Sequence, residues 1–174
     1  GTRWTALFHS EPGFDPAPLK RAIQSVLDEV DSQMSTWKPG SDLNRLNASP
    51  VDQWIKLPDR VMQVLEAALF IGRATNGAFD IGIGDAVQAW GFGAIEADPQ
   101  KIADARSGQR KPAHSILQLD AKSGLARKRE PATFALKGIA KGAGVVWLAE
   151  VLRGHGEGCA ALSVDGELVA RGGP

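Results

Sequence analysis

The stretch Asn76-Gly77-Ala78-Phe79-Asp80-Ile81-Gly82-Ile83-Gly84-Asp85-Ala86-Val87-Gln88-Ala89-Trp90-Gly91-Phe92-Gly93 separates a helix-rich first part from a strand-rich later part. Asn76-Gly77 is a helix-stop signal, because both residues tolerate the left-handed backbone that ends a helix. Beyond it, residues 80–113 carry many glycines and small polar side chains and no clean period. They read as an ordered loop with one helical turn over residues 85–90.

Upstream, residues 4–9 suit a strand and residues 11–18 a Pro-rich loop. Leu19, Ile23, Val26, Leu27, Val30 and Met34 then keep helical spacing and predict an amphipathic helix. Residues 35–50 are loop-like, with Ser41-Asp42 as the cap of a short helix. Trp54, Ile55 and Leu57 predict a short strand, and Pro58-Asp59 opens a helix with Val61, Val64, Leu65, Ala68 and Leu69 on its inner face. Downstream, residues 115–119, 124–128 and 132–136 are strand candidates. A further helix carries Val145, Leu148, Ala149 and Leu152, and residues 161–170 form a hairpin around Asp165-Gly166. Helices and strands do not alternate strictly, which favours α+β over a doubly wound parallel sheet.

A chain of 174 residues, 43% hydrophobic, is long enough for one sizeable core or two small ones. Its formal net charge is zero, which argues against a nucleic-acid binder. The basic clusters at residues 106–111 and at Arg127-Lys128-Arg129 read as solvated faces. The single cysteine, Cys159, excludes an internal disulfide and a thiolate zinc cluster, and among apolar neighbours it reads as a buried structural thiol. His9, His114 and His155 lie far apart, without the spacing of a metal pair. No run of eighteen apolar residues spans a membrane. The chain opens at Gly1-Thr2-Arg3-Trp4 without a Met, as a processed product would, and its closing Gly172-Gly173-Pro174 is a turn signal that announces a further element.

Three segments could carry chemistry. In residues 77–80, glycine allows close backbone approach, Phe79 could line an apolar slot, and Asp80 could accept from ribose hydroxyls or a ring amide. The same residues could equally form an irregular turn, with Asp80 capping backbone and Phe79 filling core. Residues 136–144, Leu-Lys-Gly-Ile-Ala-Lys-Gly-Ala-Gly, run from a strand into a helix, where amides, the dipole and Lys141 would suit a phosphate. This is not a Walker A loop, and glycine before a helix is also ordinary connector chemistry. In residues 34–47, Trp37 at a helix exit could stack on a flat heteroaromatic ring or serve as a core residue.

Together, and in this order, the segments resemble the FAD:protein FMN transferases, the ApbE family. Residues 34–47 match the family pattern F/M-S-T-Y/W-x-P-x-S-x-L-x-R-L/F-N, and residues 77–93 match G-A-F-D-x-x-x-G-x-x-x-x-x-W-G-F-G. Residues 135–142 match D-L-G/N-G-I-A-K/Q-G in part, with Ala135 in place of Asp and Lys137 in place of a small residue or Asn. Gly1-Thr2 is similar to the end of an M-G-T strand, and residues 166–172 to a G-G-E-x-x-x-x-G hairpin.

The resemblance implies an ApbE-like, T-fold-related α+β fold, a mixed and largely antiparallel sheet packed with helices. Residues 1–174 would be the N-terminal and central part of a single domain continuing beyond Pro174, since the family's later H-I-x-D-P and D-x-x-A-T segments are absent. It also implies a periplasmic enzyme, lipid-anchored through a removed N-terminal segment. That enzyme uses FAD and Mg²⁺ to attach FMN to a Thr hydroxyl of a target flavoprotein, releasing AMP. Carried over by position, Trp37 would stack near the flavin, Ala78, Phe79 and Asp80 would contact FAD, Lys141 would lie near the cofactor, and the Gly138 carbonyl would be a metal ligand. No catalytic residue is assigned. The alternatives are an FAD pyrophosphatase and an FAD-binding or flavin-assembly protein without turnover.

Overall fold

The computed structural model describes residues 3–92, 97–107 and 110–172. Gly1-Thr2, Gly93 and part of the basic cluster at 106–111 lie outside the described residues, as does the end of the Gly172-Gly173-Pro174 turn signal. Among the described residues the order is β1 (Trp4–Phe8), α1 (Ala17–Met34), α2 (Asp42–Ala48), β2 (Ile55–Lys56), α3 (Asp59–Ala74), α4 (Gly84–Ala89) and α5 (Pro99–Ser107). Then follow α6 (Ala113–Ile116), β3 (Leu117–Asp120), β4 (Leu125–Lys128), α7 (Ala140–Gly154), β5 (Ala160–Val164) and β6 (Glu167–Arg171). Two antiparallel sheets, β1-β5-β6 and β2-β4-β3, confirm the α+β class.

The chain divides into two compact units, Gly1–Asp31 with Lys137–Pro174, and Ser32–Leu136. In the first, α7 packs on β5 and β6. Leu19, Ile23 and Val26 of α1 are buried, as are Val145, Leu148 and Leu152 of α7 and Leu162 and Val164 of β5. The spacing of the helical ones is the period read from the sequence. The hairpin register pairs Val164 with Glu167 across Asp165 and Gly166, whose φ angles of 46° and 100° are those of a type I′ turn.

In the second unit, α3 buries Val61, Val64, Leu65, Ala68 and Leu69 as its period predicts, at about 1.5–3 kcal/mol for each large side chain. Its end is a Schellman motif: Asn76 takes φ 51°, its N–H donates to Arg73 O, and the Gly77 N–H donates to Gly72 O at 2.8 Å. Ser41 caps α2, its Oγ accepting from Asn44 N at 3.1 Å.

The structure corrects several expectations. Residues 132–136 are not a strand, because their backbone bonds go to side chains and isolated loop groups rather than to a ladder. Cys159 is exposed, at the open end of the hairpin against Gly172. Lys128 is buried rather than solvated. Strand alternation puts Lys128 on the inner face of β4 with Ala126, and Arg127 on the outer face, 4.4 Å from the Trp54 ring centroid. Within the supposed loop of residues 80–113, α5 is an additional helix. Its start is signalled by Asp98-Pro99, where Asp98 Oδ1 accepts from Gln100 N at 2.9 Å. Residue 115 lies in α6, and the strand begins only at Leu117.

Gly84 is required by a close approach. Its N–H donates to Thr133 O at 2.8 Å, and a Cβ there would stand 2.7 Å from that oxygen. Gly84→Ala is therefore expected to destabilise the protein by about 1–3 kcal/mol through overpacking; an unchanged midpoint in denaturant unfolding would contradict this contact.

Candidate flavin-nucleotide site

The unit Ser32–Leu136 joins the first two motif segments to the start of the third. Asn47, the last residue of the first motif, grips one backbone unit with both ends of its carboxamide. Its Nδ2 donates to Phe134 O at 3.0 Å, and its Oδ1 accepts from Phe134 N at 2.8 Å. On the second motif, Ile81 O accepts from Ala135 N at 2.9 Å, and Gly84 N bonds Thr133 O. Lys128 Nζ closes the arrangement by donating to Asn47 O at 2.6 Å and Ala132 O at 3.3 Å. Burial pushes the Lys128 ammonium below its usual range. Residues 132–135 are thus clipped by Lys128 nearby and by Asn47, Ile81 and Gly84 far away in sequence, which satisfies buried polar groups without a sheet.

Trp37 projects from a turn that Asn44 immobilises. The Asn44 carboxamide donates to Ser35 O, Thr36 O and Lys38 O at 3.4, 3.3 and 2.8 Å, and Ser41 Oγ donates to Ser35 O at 2.7 Å. The indole itself is 55% exposed, so it is not core. A rigid backbone carrying an exposed aromatic suits stacking on a flat ring.

Ala78 is exposed, and Phe79 and Asp80 are half-buried. Phe79 N donates to Thr75 Oγ1 at 3.1 Å, which ties the segment to the end of α3. Asp80 Oδ1 accepts from Gly82 N at 2.9 Å and from Ala113 N at 3.0 Å. One carboxylate oxygen therefore does the capping work that the turn alternative required. Oδ2 takes part in neither bond.

Gly138 and Lys141 belong to the other unit. Gly138 is exposed in the turn before α7. The first turn of α7 has no side-chain cap and no acidic residue. Lys141 Nζ lies 3.4 Å from Asp165 Oδ2. Burial, and then the Lys141 charge, lower the Lys137 ammonium. Among the described residues no group of three His, Cys, Asp or Glu could hold a metal, whereas magnesium keeps several waters and needs few protein ligands. The Gly138 carbonyl would be a single ligand between two lysines.

From the sequence, Asn44 and Asn47 carry no role of their own, Lys128 reads only as part of a solvated face and Asp165 only as a hairpin turn. The two asparagines did leave a signal: Asn is a poor helix former, and both sit in the short helix that Ser41 opens.

The Asp165 carboxyl is held below the usual carboxylate range, first by the Arg3 N–H and then by Lys141. A carboxylate depressed on folding contributes stability above its ordinary pKa and loses it as pH falls through the folded value. Below about pH 4 the melting temperature of the wild type should fall more steeply than that of Asp165→Asn, as a melting series across pH would reveal; parallel curves would exclude the contribution.

The ApbE family model matches residues 1–174. The FAD:protein FMN transferase of Vibrio cholerae serotype O1 is 30% identical, covering 99% of this chain and 52% of the relative. That of Klebsiella pneumoniae strain 342 is 33% identical, covering 99% of this chain and 51% of the relative. The chain thus spans about half the length of these relatives. Among solved structures, the flavin transferase ApbE from Vibrio cholerae superposes with a TM-score of 0.85 at 26% identity, covering 97% of this chain and 55% of that one. The apo form of the Pseudomonas stutzeri flavinyl transferase ApbE gives 0.84 at 25% identity, covering 97% and 57%. The family's three motifs, the antiparallel α+β architecture and the match along the whole chain agree: the chain belongs to the ApbE family.

Proposed function

We propose that this chain is the flavin-nucleotide-holding part of an FAD:protein FMN transferase, forming the N-terminal and central portion of one transferase domain. The observation that carries the reading is the clip at residues 132–135, where Asn47 of the first motif and Ile81 and Gly84 of the second hold the backbone that leads into the third. In the unit Ser32–Leu136, the exposed Trp37 indole would stack on the isoalloxazine. Ala78 and Phe79 would line the wall, and Asp80 Oδ2 would accept from a ribose hydroxyl or ring amide. In the other unit, Lys141 and the uncapped amides of α7 would meet phosphate.

The reaction is a phosphoryl transfer. A Thr hydroxyl of the target flavoprotein attacks the FMN phosphorus in line, the bridging P–O bond breaks, and its electron pair leaves with AMP. The hydroxyl proton needs a base, and no residue of this chain is given that role. Magnesium would neutralise phosphoanhydride charge in the whole protein, with Gly138 contributing at most one carbonyl. On the family resemblance we place the enzyme in the periplasm, anchored through lipid. Among the described residues no helix is long and apolar enough to cross a membrane.

The test is incubation of the protein from its complete reading frame with FAD, Mg²⁺ and a Thr-bearing target domain. Covalent flavin on the target is the expected product. Free FMN and AMP without it would mean a pyrophosphatase; FAD retained intact would mean binding without turnover, a reading that Ala135 favours over the family's Asp. Asp80 separates structure from binding. Asp80→Ala should lower both stability, by about 1 kcal/mol for the lost cap, and FAD affinity. Asp80→Asn keeps the Oδ1 acceptor and should lose affinity alone; if it binds FAD like the wild type, Asp80 is only a turn residue.

A further inference from the structure

We propose that Asp165 restrains the anion affinity of the start of α7: it parks the Lys141 ammonium in an ion pair that a multiply charged anion displaces and a neutral ligand leaves in place. The inference rests on the reading of Lys141 as a phosphate-facing residue.

Asp165 is fixed and Lys141 is not. The hairpin turn sets the Asp165 backbone at φ 46°, with Gly166 following at 100°. A reciprocal pair then ties the residue to the start of β1: Asp165 N donates to Arg3 O at 3.0 Å, and Arg3 N donates to Asp165 Oδ1 at 2.9 Å. With Oδ1 engaged, Oδ2 is the oxygen that Lys141 Nζ meets at 3.4 Å. The lysine side chain is 48% exposed and the aspartate 30%, so water screens the pair. Such a screened pair holds its partners by a factor of about 1.4 to 5. That is enough to bias Lys141 and little enough for a diphosphate to overcome.

Charge decides which ligands break the pair. Asp165 offsets the Lys141 charge in the first turn of α7. The first turn of α7 holds no acidic residue of its own. A ligand with two or more negative charges gains from Lys141 and from the helix dipole, whereas a neutral ring system gains nothing by breaking the pair.

Asp165→Asn is a clean variant. Asn before Gly is a preferred type I′ turn sequence and tolerates positive φ. It also keeps an Oδ1 acceptor for Arg3 N, so only the charge is removed. In the protein from its complete reading frame, Asp165→Asn should tighten FAD and ADP about two- to fivefold and leave riboflavin unchanged. In a Lys141→Met background the same substitution should have no effect. Weaker or unaltered FAD binding in Asp165→Asn, with Lys141→Met still costing affinity, would overturn the parking role and spare the phosphate reading. An equal gain for riboflavin would also overturn it. If Lys141→Met left FAD affinity unaltered, the phosphate role of Lys141 would fall, and the inference with it.

Discussion

The geometry of the unit Ser32–Leu136 depends on how residues 132–135 satisfy their backbone. A buried segment outside any sheet must find a partner for every N–H and C=O, since each orphaned group costs about 1–3 kcal/mol. Here Asn47 takes both groups of Phe134, Gly84 takes Thr133 O, Ile81 takes Ala135 N and Lys128 takes Ala132 O. Phe134 and Leu136 are buried outright, so apolar burial and polar satisfaction act on the same few residues. Within this unit the first two motif segments are thereby fixed to residues 132–135 before any ligand arrives, which is what a preorganised wall needs.

Two cations illustrate how burial decides a lysine's role. Lys128, among carbonyls and shielded from water, is a structural donor whose charged form is disfavoured by desolvation. Lys141 is exposed, held by a screened pair, and free to exchange partners at little cost. The same chemistry serves architecture in one place and ligand response in the other.

A hydrogen-bonded turn carrying a wholly or partly exposed side chain recurs as well. Asn44 fixes the backbone around Trp37, Thr75 and the Schellman motif fix the approach to Phe79, and Arg3 fixes Asp165. The backbone is ordered by side-chain and backbone hydrogen bonds made locally or across the unit, with Trp37 left exposed and Phe79 half-buried.

The sequence by itself determined the periodic elements: α1, α3, α7 and the Asp165-Gly166 hairpin, since apolar spacing and turn chemistry are local properties. It also determined the order of the motifs, and hence the family. Asp98-Pro99 was legible as a helix start, but α5 lacks the apolar period that would have drawn attention to it. Only the tertiary structure decided that residues 132–136 are clipped rather than paired, because their apolar alternation is the same in both cases and the partners come from residues 47, 81, 84 and 128. It alone turned Lys128 inward beside an outward Arg127, and brought Asp165 to Lys141. Such pairings depend on which distant groups the packed chain brings within hydrogen-bonding reach, and no local pattern of residues encodes that.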